Sequence, residues 1–175
     1  MKNISIISFV LFGILLIPTP LFAQKKAKKK AIEDTNNWRY EIECLGTGKQ
    51  GTYLLKIWSY SKNQDVAIES AKRNAVHGVI FKGFPGGDGC IGQNPLADKV
   101  NLEQEYESFF KSFFSDGGKY LKFVSLTSNG NIAAGDRIKV NKKEYKIGVI
   151  VSVRKDELRK DLEAAAIIKS LTSGF

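Results

Sequence analysis

Alternation of apolar and polar residues predicts two strands near residue 40. In Trp38–Leu45 every second side chain is apolar or a cysteine, while Arg39, Glu41 and Glu43 take the positions between. A period of two is typical of a half-buried strand. After a glycine-containing loop, Thr52–Ser61 is rich in aromatic and β-branched residues, which favour strands. We therefore predict an antiparallel hairpin from these two segments.

Small residues four positions apart predict a helix that packs closely on this hairpin. Ala67, Ala71 and Ala75 recur within Gln64–Phe81, and this spacing places them on one helix face. Small side chains on that face allow the helix axis to approach a sheet. The predicted boundaries are Ser61 or Asn63 as the N-cap and Gly83 with Pro85 as the stop.

A second helix is predicted from the aromatic segment that follows a glycine-rich loop. Its apolar residues at helical spacing are Leu102, Tyr106, Phe109, Phe110, Phe113 and Phe114. We expect the phenylalanines to be buried in the core. Four phenylalanines in six residues are, however, more than one apolar helix face needs for packing on the core. Phe109, Phe110, Phe113 and Phe114 are therefore also a candidate interaction surface for a protein or a lipid interface.

The remainder of the chain predicts three strands and a closing helix. Lys119–Ser128 is predicted as a strand, Asp136–Val140 and Glu144–Val153 as a second hairpin, and Lys155–Leu171 as the helix. The resulting order is β-β-α-α-β-β-β-α. We predict an α+β fold in which two hairpins and one strand form an antiparallel sheet, with about three helices.

The first 23 residues have the features of a secretory signal peptide. Lys2 precedes the apolar stretch Ile4–Ile17, which is too short to cross a bilayer comfortably, and Ala23 is a plausible cleavage position. No cysteine lies at this junction, so a lipid anchor is not expected. We predict a signal peptide at 1–23, a lysine-rich flexible segment at 24–37 and a single domain at 38–175. The protein is then exported, and is periplasmic, outer-membrane-associated or secreted.

The formal charge of +9 is concentrated near the N-terminus. Removing Lys2 and the five lysines after the signal peptide leaves about +3 for the remainder. Those five are candidate contacts for a polyanion or an anionic membrane surface: Lys25, Lys26, Lys28, Lys29 and Lys30. A solvated linker is the preferred interpretation. Because no aromatic residue is interleaved with the lysines, nucleic-acid binding is not expected.

The two cysteines leave a choice open. In an exported chain Cys44 and Cys90 can form a disulfide, but two buried free thiols are an equal alternative. Zinc binding is not expected, since His77 is the only histidine and no Cys-x-x-Cys spacing occurs. No metal or cofactor is predicted.

Catalysis has one weak candidate in the sequence. His77, Asp88 and Cys90 supply a base, an acid and a nucleophile for a hydrolase that acts on an envelope polymer. Their spacing is unspecific, and a histidine on the surface of a helix or partly buried is the preferred interpretation. The glycines of Gly83–Gly92 follow a helix instead of preceding one, unlike a phosphate-binding loop. We therefore predict no catalytic residue.

The strand followed by the segment AIESAKRNAV resembles two kinds of small envelope module. These are the N-terminal module of flagellar-assembly protein T and Lpp-type lipoproteins, which carry an alanine-spaced helix after a strand. The matching positions are Ala67, Ala71, Asn74 and Ala75, within a resemblance that covers Trp38–Phe84. The signal-peptide ending and the lysines after it also look like secreted envelope proteins of Bacteroidetes. Unlike a lipoprotein, the chain has no lipid-attachment cysteine.

This resemblance implies a non-enzymatic envelope or assembly component. The expected function is therefore a protein-interaction or assembly module in the periplasm or at the outer membrane, with another envelope protein as its partner. The sequence does not determine the oligomeric state. The hydrolase and the polyanion or lipid-surface binder are the alternatives.

Overall fold

The computed structural model describes residues 38–142 and 144–170 of the 175. The predicted α+β class is confirmed, since helices pack on an antiparallel sheet of five strands. The strands are β1 (Tyr40–Thr47), β2 (Thr52–Ser61), β3 (Val124–Leu126), β4 (Arg137–Asn141) and β5 (Glu144–Arg154). The helices are α1 (Gln64–Phe81), α2 (Leu102–Glu105), α3 (Glu107–Phe113) and α4 (Lys155–Ala164). The predicted signal peptide and the lysine-rich segment lie outside the described residues.

The two hairpins form the body of the sheet. β2 is central, pairing with β1 on one side and with β5 on the other. β3 and β4 both pair with β5, β3 alongside Val151–Val153 and β4 alongside its first residues. Within β2 burial alternates strictly, and Tyr53, Leu55 and Ile57 face the core. One face of β2 is therefore covered by the core.

α1 covers the inner face of β2 and β5. Its bounds match the prediction, because the Asn63 side chain accepts a hydrogen bond from the Asp65 amide and caps the first turn. Ala67, Ala71 and Ala75 are fully buried. The small-residue face thus lies against the strands, and burial of the larger side chains beside it stabilises the fold by roughly 1.5–3 kcal/mol each.

The aromatic segment differs from the single helix expected of it. Tyr106 leaves the helical conformation, with φ −114° and ψ 36°, and separates α2 from α3. The strand predicted at Lys119–Ser128 is also wrong in its first half. A 3₁₀ helix occupies Lys119–Phe123, and only the three residues of β3 are extended. Tyr120 and Phe123, which are both buried, lie three residues apart and so share one side of that helix.

The closing helix ends earlier than expected. α4 stops at Ala164, and Ala166 takes a left-handed conformation with φ 55°. The Ile167 amide then donates to the Leu162 carbonyl at 3.0 Å, which is the closing bond of a Schellman-type C-terminus. Leu158 and Leu162 are fully buried. Across the part of the chain that the structure describes, no helix is both long and apolar enough to span a membrane.

Candidate functional site

The chain's single histidine lies at the centre of a buried hydrogen-bonded group. The Tyr40 hydroxyl is 2.6 Å from His77 Nδ1, and His77 Nε2 is 3.4 Å from a carboxylate oxygen of Glu103. Tyr40 and His77 are buried, whereas about a third of the Glu103 side chain is exposed. β1, α1 and α2 each supply one member, so the arrangement depends on how closely α1 approaches the first strand.

Gly78 permits that close approach. A side chain at Gly78 would collide with the end of Ile42 on β1, and its Cβ would also lie 3.3 Å from the Tyr40 ring. The residue before it on α1 is His77, which therefore reaches the Tyr40 hydroxyl directly. The small-residue face of α1 thus includes Gly78 and places the imidazole between helix and strand.

Electrostatics favours one neutral form of this group. Burial lowers the pKa of His77, and the contact with Glu103 opposes that shift only in part. Burial also raises the pKa of the Tyr40 phenol far above its usual range, with a further contribution from Glu103. The neutral imidazole protonated on Nε2 satisfies both contacts, since Tyr40 then donates to Nδ1 and Nε2–H donates to Glu103. The contacts of His77 therefore favour this tautomer over the one protonated on Nδ1.

Aromatic rings enclose the imidazole on its remaining sides. Trp38 stacks on the His77 ring with 3.2 Å between ring centroids, and Phe81 lies 4.8 Å away. The centroid of the Phe114 ring lies about 6 Å from the ring centroids of Trp38 and His77. His77 is only 2% exposed as a result. The group has the geometry of a satisfied core histidine.

The three groups of the hydrolase hypothesis, His77, Asp88 and Cys90, are not assembled in the structure. Cys44 and Cys90 form a disulfide, with 6.0 Å between their Cα atoms, so Cys90 carries no free thiol. Asp88 is exposed at the tip of the glycine-rich loop. The structure gives His77 the phenol of Tyr40 and the carboxylate of Glu103 as partners, and sequence reasoning named neither.

The glycine-rich loop is a small ordered hairpin. Phe84 and Gln93 pair through two backbone hydrogen bonds of 2.9 Å, and Gly87 and Cys90 exchange bonds of 3.0 and 3.1 Å. The disulfide ties this hairpin to β1. Ile91, next to the disulfide, is 79% exposed. The loop therefore presents an apolar side chain from a fixed position.

The phenylalanines do not form the candidate interaction surface. Phe110 and Phe113 are each 3% exposed and Phe114 is 8% exposed, while Phe109 is half-buried against them. Their rings contact one another and those of Phe81, Phe123 and Tyr120. The extra aromatic residues are accommodated because the core receives rings from α1 and the 3₁₀ helix as well. Core burial, the preferred prediction, describes them.

The outer face of the sheet carries aromatic residues whose polar groups are already paired. The Trp58 ring lies over Gly148, where an added Cβ would meet three of its ring atoms at 3.1–3.2 Å. Trp58 Nε1 donates to Glu43, and the Tyr60 hydroxyl donates to Glu41. Lys146 also donates to Glu41, at 2.6 Å. This face is open to solvent, and its polar and charged side chains are paired with one another.

Strand β4 is different, because its apolar residues are open to solvent. Ile138 and Val140 are 49% and 46% exposed, and every residue of β4 is exposed. Sequence reasoning predicted this strand but attached no functional meaning to it. The signal was present, since Arg137 and Lys139 alternate with the two apolar residues in a strand that no helix covers.

The candidate polyanion contacts, Lys25, Lys26, Lys28, Lys29 and Lys30, lie outside the described residues. Within residues 38–142 and 144–170, no cluster of three or more His, Cys, Asp or Glu side chains has the geometry to hold a metal ion.

No family model, no curated protein and no solved structure matches this chain.

Proposed function

We propose that the protein is a non-enzymatic, exported cell-envelope protein that acts as a protein-interaction module in the periplasm or at the outer membrane. The observation that carries this proposal is the position of the chain's only imidazole. His77 is enclosed by Trp38 and hydrogen-bonded to Tyr40 and Glu103. A catalytic imidazole takes a proton from the substrate or gives one to it, and therefore must be accessible to the substrate.

The exposed apolar residues support the same proposal. Large apolar side chains that are mostly or half exposed lie in ordered segments, at Ile91 in the disulfide-tied loop and at Ile138 and Val140 in β4. Exposed apolar residues on rigid backbone are suited to contact a partner without a large loss of conformational entropy. The predicted signal peptide supports export, and the disulfide fits an oxidising compartment.

Site-specific photo-crosslinking in the cells that produce the protein tests this function. A photoreactive residue replaces Ile91 in one variant and Ile138 in another, and Lys122, an exposed residue of the 3₁₀ helix, serves as the control position. We expect a discrete crosslinked protein from position 91 or 138 and none from position 122. Equal labelling at all three positions would contradict the proposal.

Glu103→Gln separates the module from a hydrolase that would use His77 with the carboxylate that contacts it. The substitution keeps the shape of the side chain and an acceptor for His77 Nε2–H, but removes the charge. An interaction module retains its crosslinks and its cellular phenotype in this variant. A hydrolase that relies on the Glu103 carboxylate and His77 loses its phenotype while the protein remains folded.

A further inference from the structure

The outward edge of β4 has no strand partner within the described residues. β4 pairs only with β5, and its five residues are all exposed. In an antiparallel pair, half of the backbone amides and carbonyls of an edge strand point away from the sheet. β4 therefore offers hydrogen-bonding groups to an extended chain that lies alongside it.

The side chains of β4 form two rows of different chemistry. Because β4 is paired to β5 in register, Arg137 and Lys139 lie on the face of Ile147 and Tyr145, and Ile138 lies on the opposite face with its partner Lys146. The first row is cationic. The second row is apolar at Ile138, and Val140 is a further exposed apolar residue at the register shift between Lys139 and Asn141.

The two cations of this strand have no carboxylate partner in the described part of the chain. Among the described residues, neither Arg137 nor Lys139 forms an ion pair, and the Arg137 guanidinium stacks on the Tyr145 ring at 4.4 Å instead. The neighbouring carboxylates are taken by other cations, since Asp136 pairs with Lys56. The contrast with the compensated outer face of the sheet indicates that the charge of β4 is available to a partner.

A second copy of β4 is a poor occupant of this edge. When two identical antiparallel strands pair across a two-fold axis perpendicular to the sheet, residues of the same row face one another. Arg137 would then face Lys139 or its own equivalent, and like charges directly opposite one another are destabilising. The charge of the strand therefore favours a different chain, of opposite sign.

We propose that β4 binds an extended segment of another protein in which acidic and apolar residues alternate, so that the segment becomes an additional strand of the sheet. The inference rests on the proposed interaction function and names its partner chemistry. Backbone hydrogen bonds supply the docking mode, the acidic residues pair with Arg137 and Lys139, and the apolar residues cover Ile138 and Val140.

Binding of a short fluorescent peptide of alternating glutamate and valine to the full chain tests the proposal. Fluorescence anisotropy compares the wild type with R137E/K139E, which reverses the charge of the cationic row. The matched control is K111E/K122E, which makes the same charge change at exposed residues of α3 and the 3₁₀ helix. All three proteins carry the same lysine-rich N-terminal segment, so its attraction for the peptide is common to them.

We expect R137E/K139E to weaken binding by about tenfold or more, because two exposed ion pairs are lost and replaced by repulsion, and the control to bind within about twofold of the wild type. A peptide with N-methylated amides tests the strand contribution and should lose most of its affinity. Equal effects of the two double variants, or full binding of the methylated peptide, would overturn the proposal.

A membrane is the competing occupant, and the same variants distinguish it. One outcome is that the protein sediments with phosphatidylglycerol vesicles in a way that depends on Arg137 and Lys139, and does not bind the peptide. That result would overturn the acidic peptide segment as the partner of β4 in favour of a lipid surface. Failure of the peptide experiment while crosslinks persist at Ile91 would overturn the role of β4 and leave the interaction function in place. Loss of crosslinks at both Ile91 and Ile138 would instead overturn the interaction function.

Discussion

The Tyr40 hydroxyl lies 2.6 Å from Nδ1 of His77, inside the interface between the first strand and the first helix. This contact joins a phenol on β1 to the imidazole on α1. It also explains why they are buried together, since each satisfies a polar atom that the other would leave without a partner. The stability of the fold is therefore coupled to this hydrogen bond.

Tyr40→Phe removes the hydroxyl and leaves Nδ1 of the buried imidazole without its donor. We expect the free energy of unfolding to fall by about 1–3 kcal/mol, the cost of an unsatisfied buried polar group. Urea denaturation measures the change. Tyr60→Phe is the matched control, since its hydroxyl bonds to Glu41 at the exposed outer face and its loss should cost less than about 1 kcal/mol. Equal costs for the two variants would contradict the buried role of Tyr40.

The lowered pKa of His77 predicts a loss of stability on acidification. The unfolded imidazole takes up a proton as the pH falls through about 6.5, whereas the folded one stays neutral until its own lower pKa is reached. The contribution is thus fully present above about pH 6.5 and declines below it, with a slope of up to about 1.4 kcal/mol per pH unit. Unfolding measured between about pH 7 and 5 shows this slope in the wild type, and His77→Gln should abolish it.

Gly78→Ala tests the close approach of α1 to β1. Alanine is the better helix former by about 1 kcal/mol, yet its methyl group would collide with Ile42. We expect a net loss of about 1–3 kcal/mol in the free energy of unfolding, as is typical of overpacking. Shortening the opposing side chain with Ile42→Ala should relieve part of this loss in the double variant. If the loss in the double variant equalled the sum of the losses in the two single variants, Gly78 and Ile42 would not be in contact.

The disulfide predicts a large stability difference between oxidised and reduced protein. Cys44 and Cys90 are 46 residues apart, and closing a loop of that length in the unfolded chain contributes about 4 kcal/mol in the chain-entropy model. Denaturation with and without reductant should differ by about 2–4 kcal/mol, and the Cys44→Ser/Cys90→Ser variant should behave like the reduced protein. Mass measurement under both conditions checks the bond itself.

The elements predicted well are those with a clear local signal. The bounds of β2 and α1 match because the segment rich in β-forming residues ends at Ser61 and the Asn63 cap follows at once. The β-forming residues of Lys119–Phe123 predict a strand, although Tyr120 and Phe123 have the three-residue spacing of a 3₁₀ helix. The early end of α4 had no glycine to indicate it, since Ala166 takes the left-handed position.

The candidate site was less accessible to sequence reasoning than the fold. His77 attracted notice as the only histidine, but its partners come from β1 and α2, 37 residues before it and 26 after it. Which residues meet across such distances depends on strand register and on the position of a helix break at Tyr106, and neither follows from local periodicity. The burial of Phe110, Phe113 and Phe114 likewise depends on rings from other elements.

The central claim is that the imidazole of His77 is part of the core. The most direct test is nitrogen-detected nuclear magnetic resonance of the ¹⁵N-labelled imidazole across a pH series. The account predicts a neutral ring with the proton on Nε2, which titrates below the usual pKa of a free imidazole and exchanges that proton slowly with water. A ring that titrates near 6.5 or above and exchanges freely would show an open, chemically available histidine, and would contradict the account.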